Sequence, residues 1–162
     1  MKRYIPKTIT VNKDRLYFIT ENSFIKVDSN RERGVRESAI LKSLNHPSIP
    51  KIIRTFEYQG KHAIEMTICR GETLENLLLN QEQKINVISK LLEIIAYLLK
   101  EGIVHGDINE SNVIFDGENI YLIDFEMARK EQSLIDIFGP PWGLLYIINW
   151  LFSKCKNNQL GF

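Results

Sequence analysis

The chain has 162 residues and a mass of 18.9 kDa, which suits one compact domain or two small lobes around a cleft. Hydrophobic residues make up 44% and charged residues 25%, so the sequence can bury a core and does not resemble a disordered chain. The 21 basic and 20 acidic residues nearly cancel, which argues against a general attraction to nucleic acid or to an anionic membrane.

The sequence carries no signal for secretion or membrane insertion. Residues 1–14 lack the apolar run of a signal peptide. The most apolar stretch, Leu144–Phe152, has about nine residues, whereas a membrane span needs about 20. Cys69 and Cys155 lie far apart and form no metal-ligand spacing. We therefore expect a cytoplasmic protein with reduced thiols, no membrane contact and no direct nucleic-acid partner.

The N-terminal part alternates between strand and turn signals and contains one helix. Asn45-His46-Pro47 ends that helix, because a proline disfavours a helical residue before it. These signals predict a small antiparallel β lobe with one helix, at about residues 1–68. The predicted strands are Thr8–Val11, Leu16–Thr20, Phe24–Val27, Lys51–Tyr58 and His62–Ile68, and the predicted helix is Arg31–Leu44.

Beyond a connector at residues 69–71 the pattern becomes mainly helical. A hairpin turn at Asp116–Asn119 joins two short strands. Pro140-Pro141 marks the start of an apolar tail helix, which we expect to close the core; the alternative is an exposed docking patch. The long helix has a 3-and-4-spaced apolar stripe at Ile85, Ile88, Leu92, Ile95 and Leu99, which predicts its buried face. The predicted elements are helices at Thr73–Leu79 and Gln83–Lys100 and strands at Val113–Phe115 and Tyr121–Phe125.

Two segments carry the chemistry: HGDINESN at residues 105–112 and LIDFE at residues 122–126. Asp107 and Asn112 are five residues apart, and a short hairpin would return Asp124 close to Asn112. Carboxylate and carboxamide oxygens suit Mg²⁺, which proteins usually hold with one or two carboxylates plus substrate phosphates. Asp107 would then be available to accept a proton. The alternative is a set of polar residues in ordinary turns.

These segments resemble the H-R-D catalytic loop, with its asparagine, and the D-F-G metal loop of protein kinases. The resemblance implies that ATP and Mg²⁺ are the cofactors and that Asp107 is the catalytic base. It further implies that Asn112 is a second Mg²⁺ ligand, Asp124 the main one, and His105 the structural histidine of the loop.

Upstream residues agree with this resemblance. Glu37 shares a helical stripe with Ile40, Leu41 and Leu44, so its carboxylate faces inward and needs a cationic partner. The segment SFIKV supplies Lys26 where the family has the strand lysine of V-A-I-K, which pairs with a helix glutamate and holds phosphates. The alternative for Lys26 is a surface lysine on an edge strand.

The segment MTICRGETL at residues 66–74 resembles the hinge between kinase lobes, which we place at about residues 67–71. The resemblance implies that Met66 lies behind the adenine and that backbone groups of Thr67 to Cys69 face its edge. Ile114 and Ile123 match positions on the floor of the nucleotide pocket. The alternative is that these apolar residues are ordinary core.

Several positions depart from the kinase pattern around the nucleotide. No glycine-rich loop precedes Lys26; the turn Asn12-Lys13-Asp14 stands in its place, and Lys13 either touches the phosphates or is a solvated turn residue. Phe24 replaces a small residue and would narrow the adenine pocket.

Other departures surround the catalytic loop. Gly106 replaces the arginine of H-R-D, and Asn109 stands where many kinases carry a lysine. Glu126 replaces the glycine of D-F-G and either meets a second metal or points into solvent. Asp136 resembles the aspartate that braces the catalytic loop of kinases; the alternative is an aspartate at the end of a helix. Only 11 residues separate Asp124 from Asp136. A full activation segment does not fit in this interval, so constitutive activity or control by a partner is expected.

The resemblance covers about residues 8–152 and is closest to small atypical kinases: the RIO group, the kinase subunit of the KEOPS complex and short kinase-like proteins. We therefore predict an α+β, two-lobe kinase-like fold in one minimal domain at residues 1–162, with a truncated, mainly helical C-lobe at about residues 72–162. The expected function is Ser/Thr protein phosphorylation, including autophosphorylation, with a regulatory protein as a further possible partner. The alternatives are a pseudokinase or nucleotide-binding scaffold, a small-molecule phosphotransferase and an ATPase subunit.

Overall fold

A computed structural model of the chain describes residues 7–12, 14–131 and 142–153, with side chains at 14–131, 147–151 and 153. Lys13, Asp136, Pro140-Pro141 and Cys155 lie outside the described residues, so the predictions made for them stay predictions. The chain divides into two compact units, Met1–Cys69 and Arg70–Phe162, here called the N-terminal and the C-terminal unit.

The N-terminal unit is a five-stranded sheet and one helix. The strand order is β1-β2-β3-β5-β4, and every neighbouring pair is antiparallel. This confirms the predicted antiparallel sheet with one helix. The elements are β1 Lys7–Asn12, β2 Arg15–Ile19, β3 Ser23–Asp28, α1 Arg31–Ser43, β4 Ile52–Tyr58 and β5 Lys61–Thr67.

Local sequence accounts for the ends of these elements. The side chain of Asn30 accepts the Arg33 N–H at 3.0 Å and caps the start of α1. Gln59 and Gly60 both have positive φ, which is the backbone that a two-residue hairpin between β4 and β5 requires.

The C-terminal unit combines one long helix with short antiparallel strand pairs. Asn80 and Gln83 form a reciprocal capping box at the start of α2, which stabilises its first turn. The strands form a three-stranded sheet in the order β6-β8-β9 and a pair of β7 with β10. The elements are β6 Glu72–Thr73, a 3₁₀ turn at Leu74–Asn76, α2 Gln81–Lys100, β7 Ile103–Val104, β8 Val113–Phe115, β9 Ile120–Leu122, a 3₁₀ turn at Phe125–Met127, β10 Arg129–Lys130 and α3 Trp142–Ser153.

The predicted helix at Thr73–Leu79 is wrong. The segment begins as strand β6, which pairs with β8, and continues as the 3₁₀ turn anchored by fully buried Leu74. Gly71 permits this pairing, because at φ +128° a Cβ there would lie 2.5 Å from the carbonyl oxygen of Phe115. A long-range strand contact therefore overrides the local helical pattern. The second predicted strand of the hairpin also ends early, at Leu122 rather than Phe125.

The buried face predicted for α2 is also wrong. Leu92 is 46% exposed and Ile85 59% exposed. The buried apolar positions lie one step around the helix, where α2 contacts β7 and β9; they are Val87, Leu91, Ile94 and Leu98. Because two neighbouring faces both carry Ile and Leu at 3-and-4 spacing, the periodicity fits both, and only packing selects one.

The apolar tail forms α3, in which Ile147 and Leu151 are buried and Trp150 is half-buried. The side chains of Trp142 and Phe152 lie outside the described set. A span of the hydrocarbon core of a bilayer needs about 20 apolar helical residues. None of the helices in the described parts of the chain reaches the length and apolar character of a membrane span.

Candidate active site

The N-terminal unit buries an ion pair between β3 and α1. The Nζ of Lys26 lies 3.1 Å from Oε1 and 2.9 Å from Oε2 of Glu37. Both side chains are almost inaccessible to solvent. Lys26 sits on the central strand of the sheet, opposite Tyr17 on one side and Ile64 on the other. The inward carboxylate of α1 therefore has the cationic partner that its position on the apolar stripe requires.

A second ion pair fixes the start of α1. Arg33 Nε donates to Oδ2 of Asp28 at 2.7 Å, and its Nη2 donates to Oδ1 at 2.8 Å. The backbone N–H of Asn30 also donates to Oδ1, at 2.8 Å. Burial alone would raise the pKa of Asp28, but the bonds from Arg33 and Asn30 outweigh it, so its pKa lies below the ordinary value. The last residue of β3 thus orients the helix that carries Glu37.

In the C-terminal unit, two carboxamides hold the carboxylate of Asp107. Asn112 donates from Nδ2 to Oδ2 of Asp107 at 2.9 Å, and also to its backbone carbonyl at 2.9 Å. Asn109 donates from Nδ2 to Oδ1 of Asp107 at 3.0 Å. Asn112 is buried and follows the loop directly into β8. Both oxygens of the carboxylate are therefore oriented before any ligand binds.

His105 ties this loop to the segment after β9. Its Nδ1 accepts the backbone N–H of Asp107 at 3.3 Å, so the ring proton is on Nε2, which donates to the carbonyl of Ile123 at 3.0 Å. The ring also meets Phe125 edge-on, with centroids 4.6 Å apart. Burial lowers the pKa of His105, and the carboxylates of Asp124 and Asp107 only partly oppose this. His105 is therefore a neutral structural ring.

Gly106 allows the segment after the hairpin to press against the loop. Its φ is +84°, and a Cβ at this position would lie 2.6 Å from the carbonyl oxygen of Met127. An arginine, which the kinase pattern carries here, cannot occupy this backbone without moving Met127. The glycine is thus a geometric requirement of this loop, which sequence reasoning treated only as the loss of a cation.

Asp124 lies at the end of the hairpin that begins at Asn112. The backbone N–H of Ile123 donates to the carbonyl of Asn112 at 3.0 Å, which brings the residue before Asp124 beside Asn112. Asp124 itself has the left-handed conformation, at φ 62° and ψ 73°. Aspartate tolerates this region better than most residues, and the reversal ends β9. Phe125 is fully buried, which fixes the turn that follows.

The donor set at this end of the hairpin is suited to magnesium. It consists of the carboxylate of Asp124 and the carboxamide of Asn112, both of which offer hard oxygen atoms. No group of three or more His, Cys, Asp and Glu side chains within the described ranges has the geometry of a metal site. Proteins usually hold Mg²⁺ with one or two carboxylates together with substrate phosphates, and this pair of donors would fit that pattern. Glu126 is half-buried and takes part in an interaction of its own.

The residues predicted to surround the adenine lie on strands or next to them. Met66 is buried on β5 and is opposite Phe24 of β3, whose ring stacks on Tyr17 with centroids 5.5 Å apart. Thr67 is exposed, and its N–H donates to the carbonyl of Lys51 at 2.8 Å.

Three further predicted site residues lie near the unit boundary or on the hairpin. Cys69 is half-buried, and burial raises the pKa of its thiol to about 12. That thiol is therefore not a nucleophile at neutral pH. Ile114 on β8 and Ile123 after β9 are half-buried, so each keeps part of its side chain at the surface.

Comparison with known proteins agrees with these observations. Residues 11–138, more than half of the chain, match the family described as the protein kinase domain. The probable serine/threonine-protein kinase YbdM of Bacillus subtilis (strain 168) is 35% identical over 111 residues, which cover 65% of this chain and 43% of YbdM. The CaM kinase-like vesicle-associated protein of Danio rerio is 27% identical over 135 residues, which cover 76% of this chain and 31% of that protein.

The fold elements, the catalytic-loop motif and the extent of the match establish the class of this protein. The chain belongs to the protein kinase domain family. Sperm motility kinase Z of Mus musculus is also similar, with 30% identity over 105 residues, which cover 61% of this chain and 21% of the mouse protein. The chain spans less than half the length of these relatives.

Proposed function

We propose that this chain is an ATP- and magnesium-dependent phosphotransferase that phosphorylates Ser or Thr hydroxyls of proteins, itself included. The observation that carries the proposal is the loop in which Asp107 is held by Asn112, beside the residue that precedes Asp124. Folding alone does not demand a carboxylate fixed at both oxygens at the surface of a unit. The names of the relatives, which include a probable serine/threonine-protein kinase, support the choice of acceptor.

Each residue has a role in this proposal. The carboxylate of Asp107 accepts the proton of the acceptor hydroxyl and orients its oxygen toward the phosphate. Asn112 and Asp124 would hold Mg²⁺, which when bound neutralises phosphate charge. Lys26, positioned by Glu37, would bind phosphate oxygens of the same nucleotide. In a two-lobe arrangement Met66, Ile114 and Ile123 would line the adenine pocket, with the backbone of Thr67 to Cys69 as the hinge.

Two departures of this chain from the kinase pattern bear on how its activity would be regulated. Without the arginine that Gly106 replaces, a phosphorylated activation loop would lack its usual cationic anchor. The interval between Asp124 and Asp136 is too short for a long loop of that kind. We therefore favour an enzyme of the cytoplasm that is constitutively active or controlled by a protein partner.

The test is transfer of labelled phosphate from γ-labelled ATP with Mg²⁺, comparing the wild type with Asp107→Asn. We expect the label on serine or threonine of the chain or of added protein, and a loss of roughly 10²–10⁴-fold in the variant. Thermal unfolding should show that the variant is folded. Equal transfer by both proteins would contradict the assignment of Asp107 as the base.

A pseudokinase or nucleotide-binding scaffold is the second candidate, and Phe24 favours it. This large ring stacks on Tyr17 and lies opposite Met66, where the kinase pattern has a small residue beside the adenine. A scaffold that binds nucleotide would be stabilised by Mg-ATP without transferring label. The same assay separates the remaining alternatives: free phosphate without a labelled acceptor indicates an ATPase, and label on an aminoglycoside, sugar or choline indicates a small-molecule phosphotransferase.

A further inference from the structure

We propose that Asn109 is a positioning residue for the transfer reaction, holding the Asp107 carboxylate in one orientation through a neutral donor. This inference rests on the proposed function, since it assigns a role in the same loop. The contact that motivates it is the 3.0 Å hydrogen bond from Asn109 Nδ2 to Oδ1 of Asp107. Asn112 supplies the matching bond to Oδ2 at 2.9 Å. The two carboxamides therefore hold the two carboxylate oxygens separately.

The side chain of Asn109 is itself fixed by the loop. Its Oδ1 accepts the hydroxyl of Ser111 at 2.6 Å and the backbone N–H of Ser111 at 3.0 Å. It also accepts the backbone N–H of Asn112 at 3.2 Å. Two backbone donors at the oxygen exclude the flipped amide, because a flip would bring N–H groups against N–H groups. The NH₂ group must therefore face Asp107, so the donor is preorganised.

The side-chain amides of Asn109 and Asn112 that hold the Asp107 carboxylate, here called the clamp, are uncharged. No Lys or Arg occurs between His105 and Asn112. A cation beside a carboxylate stabilises the anion and weakens it as a base, whereas an amide N–H orients it with much less effect on its charge. Asn109 and Asn112 also differ in the groups that their side chains contact. Asn112 is shared between Asp107 and the proposed metal, while the hydrogen bonds of Asn109 run to Asp107, Ser111 and Asn112.

The substitution Asn109→Asp tests this role. It keeps an oxygen for Ser111 and Asn112 but replaces the donor with a second carboxylate facing Asp107. In a crystal structure of the free variant at neutral pH, the Asp107 carboxylate should turn away from residue 109, because two like charges at hydrogen-bond distance repel each other. This readout does not depend on catalysis. An Asp107 carboxylate in the wild-type orientation in a folded variant would overturn the clamp.

Kinetics then test whether the clamp serves the reaction. In Asn109→Asp, kcat should fall roughly tenfold, because the base is no longer held in one orientation. KM for ATP should stay within about twofold, because Asn109 bonds within the loop. A displaced Asp107 carboxylate with wild-type kcat would overturn the role in the reaction. A wild type without transfer would refute the proposed function, and with it that role, while the crystal structure of the variant would still decide the clamp.

The hairpin turn supplies a matched control. Asn119 Nδ2 lies 3.4 Å from Oδ2 of Asp116, so Asn119→Asp makes the same chemical change beside another aspartate, outside the loop. We expect Asn119→Asp to leave the orientation of the Asp107 carboxylate and kcat unchanged. A loss of kcat in this control equal to that of Asn109→Asp would show a general charge effect and overturn the specific assignment.

Discussion

The two units position their functional carboxylates by opposite means. In the N-terminal unit, Glu37 is paired with a buried cation, and Asp28 is held by the two nitrogens of Arg33. In the C-terminal unit, Asp107 is held by two neutral carboxamides, next to a histidine that is itself neutral. The buried carboxylates are paired with cations, whereas the exposed carboxylate of Asp107, which the proposed reaction would use as a base, is held by neutral groups.

This difference has a physical reason. A buried ion needs a partner, because an isolated charge in a low-dielectric interior is costly. A general base needs the reverse, since a cation beside it would weaken its affinity for a proton. The N-terminal unit should therefore respond most strongly to the loss of one charge, and the C-terminal unit to changes of hydrogen-bond geometry.

Breaking the buried ion pair should have the largest effect. Glu37→Ala leaves the Lys26 ammonium buried without this carboxylate, which should cost about 3–5 kcal/mol of unfolding free energy in urea. The double variant Lys26→Met/Glu37→Leu removes both charges and should recover most of that stability. If the double variant were as unstable as Glu37→Ala, charge compensation would not be the reason for the pair.

The next largest loss of stability should come from changes on the buried face of α2. Leu91 is fully buried, so Leu91→Ala should cost about 2–5 kcal/mol in urea unfolding. The neighbouring Leu92 is 46% exposed, and Leu92→Ala should cost less than about 1 kcal/mol. The reverse order would mean that the other apolar stripe is the packed one.

The backbone of the catalytic loop should give a smaller change. Gly106→Ala meets both a positive φ and the Met127 carbonyl, so it should cost roughly 2–3 kcal/mol and also lower phosphate transfer. Gly117→Ala has a positive φ of 103° but no atom within 4 Å of the new Cβ, so it isolates the backbone term at about 1 kcal/mol. Equal losses in thermal unfolding would show that the contact with Met127 is unimportant.

The smallest effect should be the pH dependence of the unfolding free energy, which involves different groups in the two units. His105 has a lowered pKa in the folded protein because it is buried, so the unfolded chain binds its proton first. Stability should therefore fall as the pH drops below about 6.5 toward the lowered folded pKa. The loss from Asp28, whose pKa is also lowered, begins only as the pH falls below about 4.

The measurement is the unfolding temperature between pH 7.5 and 5. His105→Gln should flatten this dependence. Burial also lowers the pKa of His62, so this residue contributes to the pH dependence of stability in the same direction. The variant His62→Gln therefore measures the contribution of the N-terminal unit to that dependence. A curve that is unchanged by His105→Gln would contradict the structural role of the neutral ring.

Sequence patterns predicted the features that local chemistry determines. The stripe around Glu37 required a cation, and the spacing of Asp107, Asn112 and Asp124 placed them around one hairpin. Patterns failed where a distant contact decides the outcome. The face of α2 depends on β7 and β9, and the segment after Gly71 pairs with β8 instead of forming a helix. The role of Asn109 was missed because its signal is the absence of a lysine, which reveals nothing of its three acceptor contacts.

The most direct test of the central claim is a structure of the chain with Mg²⁺ and a non-hydrolysable ATP analogue. The proposal predicts the metal on the side-chain oxygens of Asn112 and Asp124, Lys26 at the phosphates, and the Asp107 carboxylate still held by Asn109 and Asn112. A nucleotide bound elsewhere, or no bound nucleotide at high concentrations of Mg²⁺ and analogue, would contradict the proposal.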